Sequence, residues 1–122
     1  MTETIGFIGL GNMGGPMSRN LLDAGFTVVG SDLDADQLAA FVAAGGIAAV
    51  DALDAARQGT IVFTSLPGPK EVEAVGTAML NVMDLGDVWV DLSTNDLTCA
   101  RKIEAAAKTA GVDLLDLSLI HI

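Results

Sequence analysis

The chain has 122 residues, one domain's worth, with 51% hydrophobic residues, no Tyr and a single Trp. A net charge of −10 argues against non-specific binding to nucleic acid or to an anionic membrane surface. The single cysteine, Cys99, excludes an intrachain disulfide framework, and the single histidine, His121, excludes a histidine-rich metal site. No basic segment followed by an apolar stretch opens the chain, and no apolar run is long enough to span a bilayer, so a cytoplasmic location is the default expectation.

The apolar run Ile5-Gly6-Phe7-Ile8 predicts a first strand over residues 4–10. It leads into Gly9-Leu10-Gly11-Asn12-Met13-Gly14, a G-x-G-x-x-G loop, and then into a helical pattern over residues 13–24. Pro16 falls in the first helical turn, where its missing N–H is harmless, and Gly25 ends the helix. Strand, glycine turn and helix in that order are the context that a dinucleotide pyrophosphate requires. Gly9 would make the tight turn, Gly11 would let backbone approach the phosphates, and Gly14 would let helix and strand pack closely. Free N–H groups and the helix dipole would then face the phosphates. Taken alone, the motif also fits an ordinary strand-to-helix turn.

A second strand is predicted over residues 27–31, and Asp32 follows it, 18 residues after Gly14. An acid about 20 residues past the glycines is the expected partner of the adenosine ribose hydroxyls. Asp32 would repel a 2′-phosphate, and no Arg or Lys lies between Arg19 and Arg57 to offset it. The expected cofactor is therefore NAD, with NADP disfavoured. The other reading of Asp32 is a solvated turn acid in Asp32-Leu33-Asp34-Ala35-Asp36, where Asp34 caps the next helix.

That helix is predicted over residues 35–44, with Leu38, Phe41 and Val42 on one face. A short strand at 47–50 and a helix at 52–58 follow. The β-branched run over 60–66, bounded by Pro67-Gly68-Pro69, reads as a buried strand. A helix over 70–80, a strand over 88–92, a helix over 96–110 and a last strand from Val112 complete the alternation. This order predicts a Rossmann-type, doubly wound α/β fold, a parallel sheet with helices on both faces and ligands at the carboxyl ends of its strands.

Two further strand-end loops should therefore reach the crevice that holds Gly11. Pro67, after Leu66, would fix the backbone beside the nicotinamide. Thr94 offers a hydroxyl to the nicotinamide ribose or carboxamide, and Ser93 is a candidate for contact with cofactor or substrate. Ser93-Thr94-Asn95 reads equally as an N-cap for the following helix. Trp89 reads as core filler, and Cys99 as a small helix residue rather than a nucleophile.

The segment Gly9-Leu10-Gly11-Asn12-Met13-Gly14-Gly15-Pro16-Met17, with Asn20-Leu21 and Gly25, resembles the β-hydroxyacid dehydrogenase family, and its 3-hydroxyisobutyrate branch more than its 6-phosphogluconate branch. Leu66-Pro67 and Asp91-Leu92-Ser93-Thr94 resemble two further marks of that family. The resemblance covers residues 4–116. It implies that Leu10, Asn12, Met13, Leu66, Pro67 and Thr94 join Gly9, Gly11, Gly14 and Asp32 in binding the cofactor. NADP-preferring members often carry Asn-Arg-Thr where this chain has Asp32-Leu33-Asp34. Leu97-Thr98 departs from a proline common in relatives.

Relatives continue into a substrate loop and a helical domain that supplies a general acid/base lysine and makes the dimer. The chain lacks these, so the 122 residues are expected to bind NAD weakly and to show no turnover, with no catalytic residue among them. Lys70, Lys102 and Lys108 lie at no motif position and read as solvated helix residues. The small-molecule hydroxyacid substrate and any homo-oligomer belong to the whole protein. The expected division is a cofactor domain over residues 1–116 and a tail over 117–122. Leu117-Ser118-Leu119-Ile120-His121-Ile122 fits no family pattern and reads as a non-native scar, or else as a natural apolar end to the last strand. Two other functions remain open: a stand-alone nucleotide-binding or redox-sensing module, and an imine reductase-like enzyme on the same scaffold.

Overall fold

The computed structural model describes residues 3–117. Strands and helices alternate as β1 (Thr4–Ile8), α1 (Gly14–Asp23), β2 (Thr27–Ser31), α2 (Ala35–Ala43), β3 (Ile47–Ala48), α3 (Ala52–Gln58), β4 (Ile61–Thr64), α4 (Pro69–Leu80), β5 (Val88–Asp91), α5 (Leu97–Ala110) and β6 (Asp113–Asp116). All five pairings are parallel, and the strand order is β3-β2-β1-β4-β5-β6. The order runs outward from β1 in one direction and then restarts at β4 in the other. The reversal between β1 and β4 leaves a crevice at their carboxyl ends.

Alternate residues of the central strands feed two cores. Ile5 and Phe7 of β1 join Val28, Phe41, Val90 and Leu92 beneath α1 and α2, while Ile8 joins Val29, Val62, Met79, Trp89 and Ile103 beneath α3, α4 and α5. Phe7, Phe41 and Trp89 are enclosed, and each side chain of this kind stabilises the fold by about 1.5–3 kcal/mol. Phe7 also stacks on Phe63 of β4, with ring centroids 5.3 Å apart, across the reversal point.

The predicted elements recur with shifts of a few residues at their ends. The predicted face of α2 is narrower than expected: Phe41 is buried and Leu38 half-buried, but Val42 is exposed. The strand expected over residues 47–50 pairs only at Ile47–Ala48, and Val50 is 91% exposed. Trp89 is a core residue, as its mid-strand position suggests. No helix among the described residues is long and apolar enough to cross a membrane. Of the proposed tail, residues 118–122, His121 included, lie outside the described residues.

Candidate functional site

The glycine loop leaves β1 through Gly9, whose φ of 97° lies in the left-handed region that disfavours side chains. A Cβ there would strike the Ser65 carbonyl beyond β4. A Cβ on Gly14 would collide with the Gly9 carbonyl oxygen and come within 3.0 Å of the Phe7 ring, so α1 can start where it does only with glycine there. Gly11 differs from both. It has no positive φ, and a Cβ built on it meets no heavy atom within 4 Å. Neither strain nor packing within the chain accounts for this glycine. It faces open space beside the start of α1, where a bound phosphate would need the room.

The helix starts separate into two groups. α2, α3 and α5 are each capped by an aspartate side chain, from Asp34, Asp51 and Asp96. α1 and α4 carry no side-chain cap, and α1 has no acidic residue in its first turn. Of the first four residues of α1, Gly15 and Met17 donate to the Gly11 and Met13 carbonyls and Pro16 has no N–H, so the helix offers the space beside Gly11 its dipole and the Gly14 amide.

Asp32 closes the other side of the loop. One carboxylate oxygen accepts from the Leu10 amide at 2.6 Å, and the other accepts from the Asp34 amide at 2.8 Å. Each oxygen keeps a lone pair for a hydroxyl donor. Leu33 beside it is fully exposed, and the Leu10 side chain is buried, so Leu10 contributes its backbone to the loop. Asn12 and Met13 are exposed.

The remaining candidates line the same carboxyl edge. The Ser65 amide donates to the Ile8 carbonyl, which carries the β4 loop alongside the glycine turn. Leu66 is half-buried and Pro67 exposed, and Thr94 is exposed one strand further on. Ser93 is 2% exposed, and its hydroxyl accepts from the Leu66 amide at 2.7 Å. The capping alternative for Ser93-Thr94-Asn95 is not what forms: Asp96 caps α5 by accepting from the Cys99 amide at 2.7 Å, and Asn95 accepts from the Asp96 amide.

Sequence reasoning passed over two residues here. Asp91, the last residue of β5, is fully buried. One of its oxygens accepts from the Thr64 hydroxyl at 2.9 Å and from the Ser93 amide at 3.1 Å, and the Trp89 indole N–H donates to the Thr64 oxygen at 2.8 Å. Burial pushes its carboxyl above the usual carboxylate range, hydrogen bonds from Ser93 and Thr64 oppose that, and the nearby Asp116 adds to it. A buried acid at a strand end, within a stretch valued only for its Ser-Thr pair, gave no distinct sequence signal. The second is Gly68, the N-cap of α4, where an added Cβ would also meet nothing within 4 Å.

The three lysines lie at the surface. Lys70 and Lys108 are exposed, and Lys102 pairs with Glu73 at 3.0 Å on the surface. Cys99 is buried, with its thiol against the Pro69 carbonyl at 3.3 Å. Burial pushes that thiol up, and Asp96 and Glu73 add to the effect.

With this geometry in view, residues 4–119 match the family described as the NAD binding domain of 6-phosphogluconate dehydrogenase. The chain belongs to that family. It is 40% identical over 117 residues to an NAD-dependent L-serine dehydrogenase of Pseudomonas aeruginosa, a match covering 93% of this chain and 39% of the relative. It is also 40% identical over 115 residues to 2-(hydroxymethyl)glutarate dehydrogenase of Eubacterium barkeri, covering 92% and 38%. Among solved structures it resembles the 3-hydroxyisobutyrate dehydrogenase of Mycobacterium tuberculosis with L-serine, at 36% identity and a TM-score of 0.90, covering 95% of this chain and 40% of that one. The chain therefore spans about two fifths of the length of these relatives.

Proposed function

We propose that the chain is the NAD-binding part of a dehydrogenase that oxidises a β-hydroxyacid, of the 3-hydroxyisobutyrate or tartronate semialdehyde type, by hydride transfer. The observation that carries this reading is Gly11, a glycine unexplained by strain or packing, set against the uncapped start of α1. In this reading Gly9, Leu10, Gly11, Asn12, Met13 and Gly14 cradle the pyrophosphate. Asp32 takes the adenosine ribose hydroxyls and rejects a 2′-phosphate. Leu66, Pro67 and Thr94 flank the nicotinamide, and Ser93 stands behind them. NAD, when bound, accepts the hydride from the substrate carbinol carbon. The chain's own residues bind and orient it, and proton transfer falls to a lysine of the helical domain that the resemblance implies.

Residues 1–116 act as the cofactor domain in this account, and residues 117–122 as its tail. The substrate is a small hydroxyacid bound by the whole protein, and any homo-oligomer forms through the helical domain. The test is to read the parent reading frame past codon 116, express its whole product and assay NAD reduction with 3-hydroxyisobutyrate, L-serine and related hydroxyacids. A lysine-bearing helical domain and NAD reduction with one of them is the expected result. A frame that closes at codon 122, or a full-length product inert toward every hydroxyacid, contradicts it.

A further inference from the structure

β4 and β5 end side by side, with Thr64 in register with Asp91. Beyond that rung the two chains turn into separate loops, one carrying Leu66 and Pro67, the other Ser93 and Thr94. Loops of this kind are the mobile parts of a fold unless something ties them. Here three ties cross between them: the Leu92 amide donates to the Thr64 carbonyl at 2.8 Å, the Leu66 amide donates to the Ser93 hydroxyl at 2.7 Å, and that hydroxyl donates to the Thr64 carbonyl at 3.5 Å. The last two run through one side chain, so a single substitution removes both.

Ser93 is held twice, its hydroxyl by the Thr64 carbonyl and its backbone by Asp91. The Asp91 oxygen that takes the Thr64 hydroxyl also takes the Ser93 backbone amide, which fixes the turn two residues on. Thr64 is in turn fixed by the indole of Trp89, itself fully enclosed in the core. A chain of hydrogen bonds thus runs from the core through Trp89, Thr64, Asp91 and Ser93 to the backbone of Leu66. Every side chain along it is at most 2% exposed. The last links, Leu66 and Ser93, immediately precede Pro67 and Thr94, both of which are exposed.

We propose that Ser93, held by Asp91 and Thr64, is a positioning residue for the nicotinamide half of the cofactor, fastening the β4 loop to the β5 loop so that Leu66, Pro67 and Thr94 form a preformed wall. The proposal rests on the NAD reading above and adds to it how the nicotinamide end is selected. A pre-ordered wall costs no loop ordering on binding, so its effect falls on the ligand part that touches it. The adenosine and pyrophosphate parts lie against Asp32 and the glycine loop, and they should not sense Ser93.

ADP-ribose, which lacks the nicotinamide, separates the two halves. Calorimetric titration of the 122-residue chain with NAD+ and with ADP-ribose would be run on the native protein, Ser93→Ala, Asp91→Leu and Asp91→Asn. The native chain should bind NAD+ more tightly than ADP-ribose. Ser93→Ala should weaken NAD+ binding by roughly five- to tenfold, as expected for loss of the tie to the Leu66 amide and the order it maintains, with ADP-ribose unchanged within about twofold. Asp91→Leu should behave like Ser93→Ala. Asp91→Asn, whose amide oxygen still accepts both bonds, should retain the native preference. Ser93→Ala removes only one oxygen, and an unaltered circular dichroism melt would establish that it folds. Equal loss of both ligands, loss of neither, or equal native affinities for the two would overturn the positioning role while leaving the NAD reading in place. Failure of the native chain to bind either ligand would overturn both.

Discussion

The carboxylate of Asp32, just past the end of β2, accepts the backbone amide of Leu10 in the glycine loop at 2.6 Å. The residue that would read the ribose therefore also holds the loop that would hold the phosphates. Removing the carboxylate in Asp32→Ala should cost a charge-assisted bond inside the loop together with those to the ribose. NAD affinity should fall by roughly 10- to 100-fold, given about 1.5–3 kcal/mol for a hydrogen bond to a charged group. Isothermal titration checks this, and an unchanged Kd would remove Asp32 from the site.

The two glycines of the loop should part company when each is changed to alanine. Gly11→Ala places a methyl in open space at a φ that alanine accepts, so its Tm should hold or rise slightly, as for other Gly-to-Ala changes worth about 0.4–1 kcal/mol. Its NAD binding should nonetheless fall at least about tenfold, because in the proposed site the methyl would stand where the phosphate approaches. Gly14→Ala drives a methyl into the Gly9 carbonyl and against Phe7, and should destabilise the fold by about 1–3 kcal/mol. Thermal melts and titrations of both variants test the contrast; a Gly11→Ala chain that binds normally would contradict it.

Asp91 should give stability an unusual pH dependence. Burial raises its carboxyl above 3.8, so the folded chain binds more protons than the unfolded one between 3.8 and the folded value. Its contribution to stability is greatest below 3.8 and is lost as pH rises through the folded value. Asp91→Asn keeps the acceptor for Thr64 and Ser93 without a charge to bury. Its Tm relative to the native chain should therefore climb as pH rises from about 4 to about 7. Melting curves across that range decide it, and a pH-independent difference would mean that burial does not raise the Asp91 carboxyl.

Cys99 should react slowly. Its thiol is buried and raised, which lowers both access and thiolate content. A thiol-specific colorimetric reagent should label the native chain far more slowly than the urea-unfolded one. Equal rates would contradict the packing of α5 against the start of α4.

Much of this architecture is legible in the sequence because local signals agree with the sheet. The apolar run at Ile5–Ile8, the β-branched run over 60–66 and the capping aspartate Asp34 each mark an element that forms close to where expected. Val42 and Val50 misled because hydrophobic type alone does not say which side of a short element meets the sheet. The glycine loop and Asp32 are legible because each answers a geometric demand within a short stretch. The tie between Leu66 and Ser93 spans 27 residues and depends on β4 and β5 lying side by side. The same holds for Asp91, whose burial and partners come from Thr64 on another strand. Pairings of that range are set by the fold and leave no local pattern to read.

Calorimetric titration of the 122-residue chain with NAD+ and with NADP+ in one buffer tests the cofactor site most directly. NAD+ should bind saturably and NADP+ at least roughly tenfold more weakly, since in the proposed site Asp32 would face the 2′-phosphate with no cation to offset it. Comparable affinities for the two, or no binding of NAD+, would contradict it.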